Sequence, residues 1–268
     1  MHRPFTTADF PPPGELRRLG RSVHCFKNID STNAFLLSRA GELPDGALAL
    51  AEHQTAGRGR LRRVWSAPRG SSILLSLLLH ESAESGLLRD ATLLACVATC
   101  NAVQIAVGIT AAVRWPNDVV ISGRKLAGVL AESTPLPDGR RALVIGIGLN
   151  CLQQPGHFDG VLTQRATSLE IESAAAVDRG AVARALIHAL DQSIERASDA
   201  AGRARLRQDW LARCDDRGQP VTLLSEDHTH RGTIVDIDPA GDLIVQLDTG
   251  ERRAFEAATT TRRWSAAG

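Results

Sequence analysis

The chain has 268 residues, 43% of them apolar, and a formal net charge of +1 at pH 7. That length supports one substantial core and a small second unit. A nearly neutral balance argues against a protein held on a long polyanion by bulk charge. No run of about 18 apolar residues predicts a membrane span, and the start of the chain lacks the apolar core of a signal peptide. The five cysteines, Cys25, Cys96, Cys100, Cys151 and Cys214, form neither a CxxC pair nor a zinc spacing. They read as reduced thiols of a cytoplasmic protein without a structural metal.

In chain order, residues 1–20 read as a disordered extension around Pro11-Pro12-Pro13. Residues 23–27 read as a strand, and Ser31-Thr32-Asn33 caps a helix running to about residue 40. A strand over residues 47–53 ends at an arginine-rich stretch. Residues 72–79 are apolar almost throughout and read as a buried strand. Residues 87–107 contain neither Pro nor Gly and read as a long buried helix. Short strands over 112–115 and 119–122 flank Pro116-Asn117-Asp118, and Ser122-Gly123-Arg124 turns the chain into a hairpin strand over 125–132. A surface loop at 135–139 precedes a strand over 142–147, which stops at Gly148-Leu149-Asn150. Residues 178–213 read as helical with a break at Gly202. After Gly218, strands over 221–224, 233–237, 243–247 and 252–255 follow at hairpin spacing, with turns at 238–241 and 248–250. The organisation is α+β: a mixed β-sheet core packed with helices over residues 21–216, and a small C-terminal β-barrel over residues 217–268.

The densest chemical signal is Gly57-Arg58-Gly59-Arg60-Leu61-Arg62-Arg63-Val64-Trp65. Arginine forks match phosphate oxygens, glycine allows close approach and positive φ, and tryptophan offers a face to a planar ring. From the residues alone two readings stay open: a loop that wraps a polyphosphate, and a solvated basic loop that touches nucleic acid. Trp115-Pro116-Asn117-Asp118 is good turn chemistry, and also projects Asn117 and Asp118 from a strand end. The hairpin returns Lys125 toward Asp118. Gly146-Ile147-Gly148 fails as a dinucleotide fingerprint, because position 151 is a cysteine.

These blocks resemble those of the bacterial biotin–protein ligases: the GRGR loop with Trp65, Trp115-Pro116-Asn117-Asp118-Val119, Gly123-Arg124-Lys125-Leu126-Ala127-Gly128 and Gly146-Ile147-Gly148-Leu149-Asn150. Ser31-Thr32-Asn33, Glu52-His53-Gln54-Thr55-Ala56 and Ala166-Thr167-Ser168-Leu169 extend the match in order, over roughly residues 22–260. The resemblance implies the class II synthetase-like biotin–lipoate ligase fold. It implies MgATP and biotin as substrates, biotinyl-5′-AMP as intermediate, and a lysine of a biotin carboxyl carrier domain of an acyl-CoA carboxylase as acceptor. The short stretch before the first strand implies a type without an N-terminal DNA-binding domain. No DNA or membrane partner is expected, and the chain is expected to be a monomer or weak homodimer.

Residue by residue, the resemblance puts Ser31, Thr32, Asn33 and Gln54 on the ureido ring, with Gly57, Arg58, Gly59, Arg60, Lys125 and Gly128 completing the biotin site. Arg58, Arg60, Arg63, Trp65, Asn117, Lys125 and Asn150 fall to the nucleotide; Trp65 stacks on adenine and Asn150 bonds an edge of that base. Lys125, Asp118, Arg58 and Arg60 are the catalytic set. Two positions depart from the family pattern: Arg62 stands where the loop has glycine, and Arg114 where the block has lysine. The nearest rival is a lipoate or octanoate ligase of the same fold.

Overall fold

The computed structural model describes residues 4–11, 14–238 and 241–263. Its core is a seven-stranded sheet in the order β1-β2-β3-β7-β6-β5-β4. The strands are β1 (Val23–Phe26), β2 (Leu48–Ala51), β3 (Ser72–Glu81), β4 (Ala112–Arg114), β5 (Asp118–Ile121), β6 (Arg124–Pro135) and β7 (Arg141–Asn150). β1 runs parallel to β2 and every other neighbouring pair is antiparallel, which makes the sheet mixed as expected. β3 and β7 form the long central pair, with Ser72 opposite Asn150 and Glu81 opposite Arg141.

The apolar run of β3 is explained by cover on both faces. Ile73, Leu75, Leu77 and Leu79 join the main core, which also contains residues of α2 (Leu87–Val107) and α5 (Arg179–Arg196). Leu78 joins a smaller cluster around Leu36 of α1 (Thr32–Ser38). Alternation puts the one hydroxyl in the middle of this strand, Ser76, on the α1 side. α2 ends at Gly108, whose φ of 70° supplies the left-handed cap. By length and composition alone α2 is apolar enough to cross a membrane. Its alanines, cysteines and leucines are instead the core of the fold, packed against α5, α6 (Ala200–Arg213) and the sheet.

Two expectations are corrected. The helical break falls at residues 197–199, between α5 and α6, and Gly202 lies inside α6. Asp199 caps α6 by accepting from the Gly202 N–H at 2.6 Å. Glycine is needed there because a Cβ would stand 1.6 Å from the Arg196 carbonyl oxygen. The N-terminal extension is likewise not disordered over its described residues. Phe5 and Phe10 are buried in the core, and the Phe5 N–H donates to Glu52 Oε1 at 2.7 Å. The Arg179 guanidinium lies 4.1 Å over the Phe5 ring and pairs with Glu52 at 2.8 Å. The N–H groups of Arg17, Arg18 and Leu19 converge on the buried Asp191 carboxylate. Pro12 and Pro13 lie outside the described residues.

The C-terminal unit is a five-stranded antiparallel sheet, β11-β10-β9-β8-β12. Its strands are β8 (Pro220–Ser225), β9 (His228–Ile237), β10 (Leu243–Leu247), β11 (Arg252–Phe255) and β12 (Thr261–Arg263). Among the described residues β11 and β12 remain unpaired edges, so the expected barrel is an open sheet. β12 is only three residues long, Thr261-Arg262-Arg263, and carries no apolar alternation that would have announced it. Asp216 joins the two units, accepting from Arg114 Nε at 3.2 Å and from Arg262.

Burial pushes the thiols of Cys100 and Cys151 up to about 12 and that of Cys214 to about 11. Cys96 is raised by the same cause, and Cys25 by burial reinforced by the Asp9 and Glu52 charges. Only thiolates alkylate readily. Iodoacetamide on the folded chain is therefore expected to modify half-buried Cys25 first, and the four buried cysteines only on unfolding, as read by mass spectrometry. Raised folded-state values also mean that this stabilisation is complete below the ordinary thiol value of 9.0 and is lost as pH rises from there toward about 12.

Candidate active site

A cavity of about 780 Å³ opens over β3, β7 and β6. Residues 58–61 and 63–68 border it on one side, without Gly57, and Trp115, Asn117, Asp118, parts of residues 153–166 and Arg262 of the C-terminal unit complete the wall. Its floor is made of glycine. Gly128 of β6 pairs directly with Gly148 of β7. A Cβ at Gly148 would stand 2.4 Å from Trp65 Cε2, one at Gly128 3.1 Å from both Trp65 Cζ3 and Lys125 Nζ, and one at Gly146 2.0 Å from Asn33 Oδ1. Gly146-Ile147-Gly148 is thus neither a phosphate fingerprint nor a turn. It is strand backbone that other side chains lie upon.

One end of the cavity is a polar cluster at the start of α1. Ser31 caps the helix, accepting from Ala34 N at 3.4 Å. Gln54 Oε1 accepts from the Thr32 N–H at 2.8 Å and its hydroxyl at 3.0 Å. The Ser76 hydroxyl lies 2.7 Å from Thr32 Oγ1 and 2.6 Å from Asn33 Oδ1. Asn33 Nδ2 donates to the Leu130 carbonyl at 3.2 Å and to Glu132 Oε2 at 2.9 Å. An amide has two N–H donors and both are used, so Asn33 is first a strut between α1 and the sheet. Its remaining capacity for a ligand is as an acceptor. Ser76 and Glu132 were not identified from the sequence. The signal for Ser76 was a lone hydroxyl inside a strand buried on both faces.

The arginine loop is a small hairpin. The Trp65 N–H bonds to Gly57 O at 2.9 Å and the Gly59 N–H to Arg63 O at 2.7 Å. Leu61 and Arg62 turn it with φ of 52° and 59°. The position where the resemblance expects glycine therefore does require left-handed backbone, and this chain meets it with arginine at a cost of order 1 kcal/mol or more. Arg58 pairs with Glu132 at 2.9 Å. Arg60 crosses to the C-terminal unit, donating to Thr260 O at 3.2 Å and to Ala257 O, and reaches Asn117 Oδ1 at 3.5 Å. Burial holds the Arg60 guanidinium below the ordinary arginine value, against the pull of Asp118. Arg63 also lines the cavity. The Trp65 ring rests on the glycine floor, and its Nε1 is buried without a partner.

Asp118 opens β5 and Lys125 lies near the start of β6. A register shift between Val119 and Val120 turns the hairpin so that Lys125 Nζ stands 2.5 Å from Asp118 Oδ1. The ammonium also sits 5.6 Å from the Trp65 ring centroid. Asn117 is fastened to β6 by its Nδ2 donating to Val129 O at 2.7 Å and its backbone carbonyl accepting from the Val129 N–H at 2.9 Å. Trp115 is fully buried and packs in the core. Asn150 lines the cavity, but its Oδ1 accepts from Gln153 at 2.8 Å and its Nδ2 donates to Thr167 O at 3.0 Å. One N–H of Asn150 is left for a base edge. Among the described residues no group of three or more His, Cys, Asp or Glu side chains is arranged to hold a metal ion.

A family model described as the biotin/lipoate A/B protein ligase family matches residues 25–150, and one described as the biotin protein ligase C-terminal domain matches residues 217–259. The biotin–[acetyl-CoA-carboxylase] ligase of Mycobacterium tuberculosis is 36% identical, with 89% of this chain and 87% of that protein covered. Its namesake from Paracoccus denitrificans is 34% identical over 85% of this chain and 95% of its own length. The chain belongs to the biotin protein ligase family. It also matches the bifunctional ligase/repressor BirA of Bacillus subtilis at 32% identity, spanning 66% of that protein's length. The fold of the family is equally clear in the biotin protein ligase from Aquifex aeolicus in complex with biotin and ATP. That structure superposes with a TM-score of 0.76 at 24% identity, covering 92% of this chain and 100% of that one.

The polar cluster yields a direct test. Ser76→Ala leaves Asn33 Oδ1 buried without its donor, and an orphaned buried polar atom costs about 1–3 kcal/mol. Urea unfolding of the variant is expected to show that loss with an unchanged m-value; unchanged stability would remove Ser76 from its bridging role.

Proposed function

We propose that the chain is a biotin–protein ligase, which activates biotin with MgATP to biotinyl-5′-AMP and passes the biotinyl group to a lysine of a carboxylase carrier domain. The observation that carries this reading is the meeting of three groups around one cavity: the Lys125–Asp118 pair, the arginine hairpin, and the Ser31–Thr32–Asn33–Gln54 cluster. The volume suits a ligand of adenylate size.

In the first half-reaction a carboxylate oxygen of biotin attacks the α-phosphorus and pyrophosphate leaves with the electron pair of the broken P–O bond. Two anions must approach, so the fixed Lys125 ammonium stabilises charge that accumulates there. Arg58, Arg60 and Arg63 serve the phosphates. Hydroxyls and amides of Ser31, Thr32 and Gln54, with Asn33 as acceptor, suit a neutral urea, which needs donors and acceptors together. In the second half-reaction the acceptor lysine amine attacks the acyl carbon and AMP departs. An amine of ordinary pKa about 10.4 arrives protonated at neutral pH, and Asp118 is the carboxylate placed to take or orient that proton. Magnesium would enter with the nucleotide, held mainly by phosphate oxygens and water, with Asp118 and Asp159 the carboxylates lining the cavity.

A lipoate or octanoate ligase would share this chemistry. The C-terminal domain match and the biotin-ligase names of the relatives favour biotin. Against a nucleic-acid module, Arg58 and Arg60 fold inward onto the protein.

Mg²⁺-dependent ATP–pyrophosphate exchange is expected with biotin and not with lipoate or octanoate; the reverse preference would move the chain to the sister activity. Lys125→Ala is expected to lower biotin-dependent exchange by about 10²–10³ while thermal unfolding stays close to wild type. Asp118→Asn is expected to slow transfer from preformed biotinyl-5′-AMP to carrier more than it slows exchange. Equal slowing of both would deny Asp118 a role specific to the amine.

A further inference from the structure

Glu132 took no part in the reading of the site from the sequence, yet one of its oxygens joins the two ends of the arginine-loop entry. Oε2 accepts from Asn33 Nδ2 at 2.9 Å and from Arg58 at 2.9 Å. From Asn33 the chain of contacts continues through Ser76 and Thr32 to Gln54. Gln54 and Arg58 are only four residues apart in sequence, so the segment between them is held at both ends by one polar network.

We propose that Glu132 is a positioning residue: its carboxylate fastens the arginine loop to the polar end of the cavity, so that the hold on Arg58 and the orientation of Asn33 become one event. The inference rests on the ligase reading only for its kinetic consequence. Glu132 lies on β6 opposite Val144 of the central strand β7, whereas the loop it holds has only short hairpin bonds of its own. The Arg58 side chain is 42% exposed, and a pair so open to water adds little to global stability. Its effect is local: it sets how often the loop opens. Charge matters here because two donors, one of them a cation, share one oxygen. An uncharged amide holds a guanidinium less tightly than a carboxylate does.

The test uses Glu132→Gln, Arg58→Gln and the double variant. Trypsin acting on the chain alone, with no substrate present, is expected to cut after Arg60, Arg62 and Arg63 about tenfold faster in Glu132→Gln than in wild type. An unchanged cutting rate with an intact fold overturns the proposal whatever the protein's activity. In biotin-dependent exchange, Glu132→Gln is expected to raise KM for biotin about tenfold with kcat within about threefold; in the trypsin assay Arg58→Gln is expected to match Glu132→Gln, and the double variant to be cut no faster than either. Multiplication of the two effects to about a hundredfold would mean that the residues act independently, and would equally overturn it. Wild-type chain that performs no biotin-dependent exchange would instead count against the ligase reading, leaving the proteolysis result to decide the role of Glu132.

Discussion

Missing Cβ atoms at Gly128, Gly146 and Gly148 open a depression in one face of the central sheet, and every group of the site is arranged around it. The three glycines sit on β6 and β7, where an ordinary strand would present side chains to the layer above. Trp65, Lys125 and Asn33 lie against bare backbone instead. Filling the depression with any side chain would push out the indole, the ammonium or the amide. The cavity is therefore built into the sheet itself, and the loops only border it. That rigidity comes from β3 and the main core beneath, which bury the other face.

Positive charge is concentrated around this depression in a molecule of net charge +1, and several of its cations have protein partners. Arg58 has Glu132, Arg60 has carbonyls of the C-terminal unit, Lys125 has Asp118 and Arg262 has Asp216. Buried cations left alone would be far more costly than these pairs. The arrangement also ties the C-terminal sheet to the seven-stranded sheet through Arg60, Arg114 and Arg262. Arg62 enters the same loop differently. It occupies left-handed backbone where glycine would be relaxed, so the hairpin keeps its shape through its bonds and contacts and against local preference.

Much of this was legible from residue order. Periodicity and caps located α1, α2 and the strands from β1 to β11 within a few residues, because each carries a local signal: an apolar run, a cap or a turn. The hairpin between Asp118 and Lys125 was also local, and it brought the pair together as expected. Legibility failed where the deciding partner is distant in sequence. Phe5 and Phe10 look like part of a proline-rich tail until Glu52, Arg179 and the core receive them. Gly202 looks like a helix breaker until the Arg196 carbonyl is seen against it. β12 exists only because β8 offers it an edge.

The sequence by itself determined the α+β class, the family and the residue types that meet around the cavity, since these follow from local pattern and from motif blocks in order. Only the tertiary structure decided how those residues are employed. It made the GIG glycines a floor, turned Asn33 into a strut whose two N–H groups are already used, set Trp65 against the glycine backbone and brought in Ser76 and Glu132. The physical reason is that hydrogen-bond partners and close approaches are set by which strands become neighbours. The register between β3, β7 and β6 is fixed by burial of both faces of the sheet.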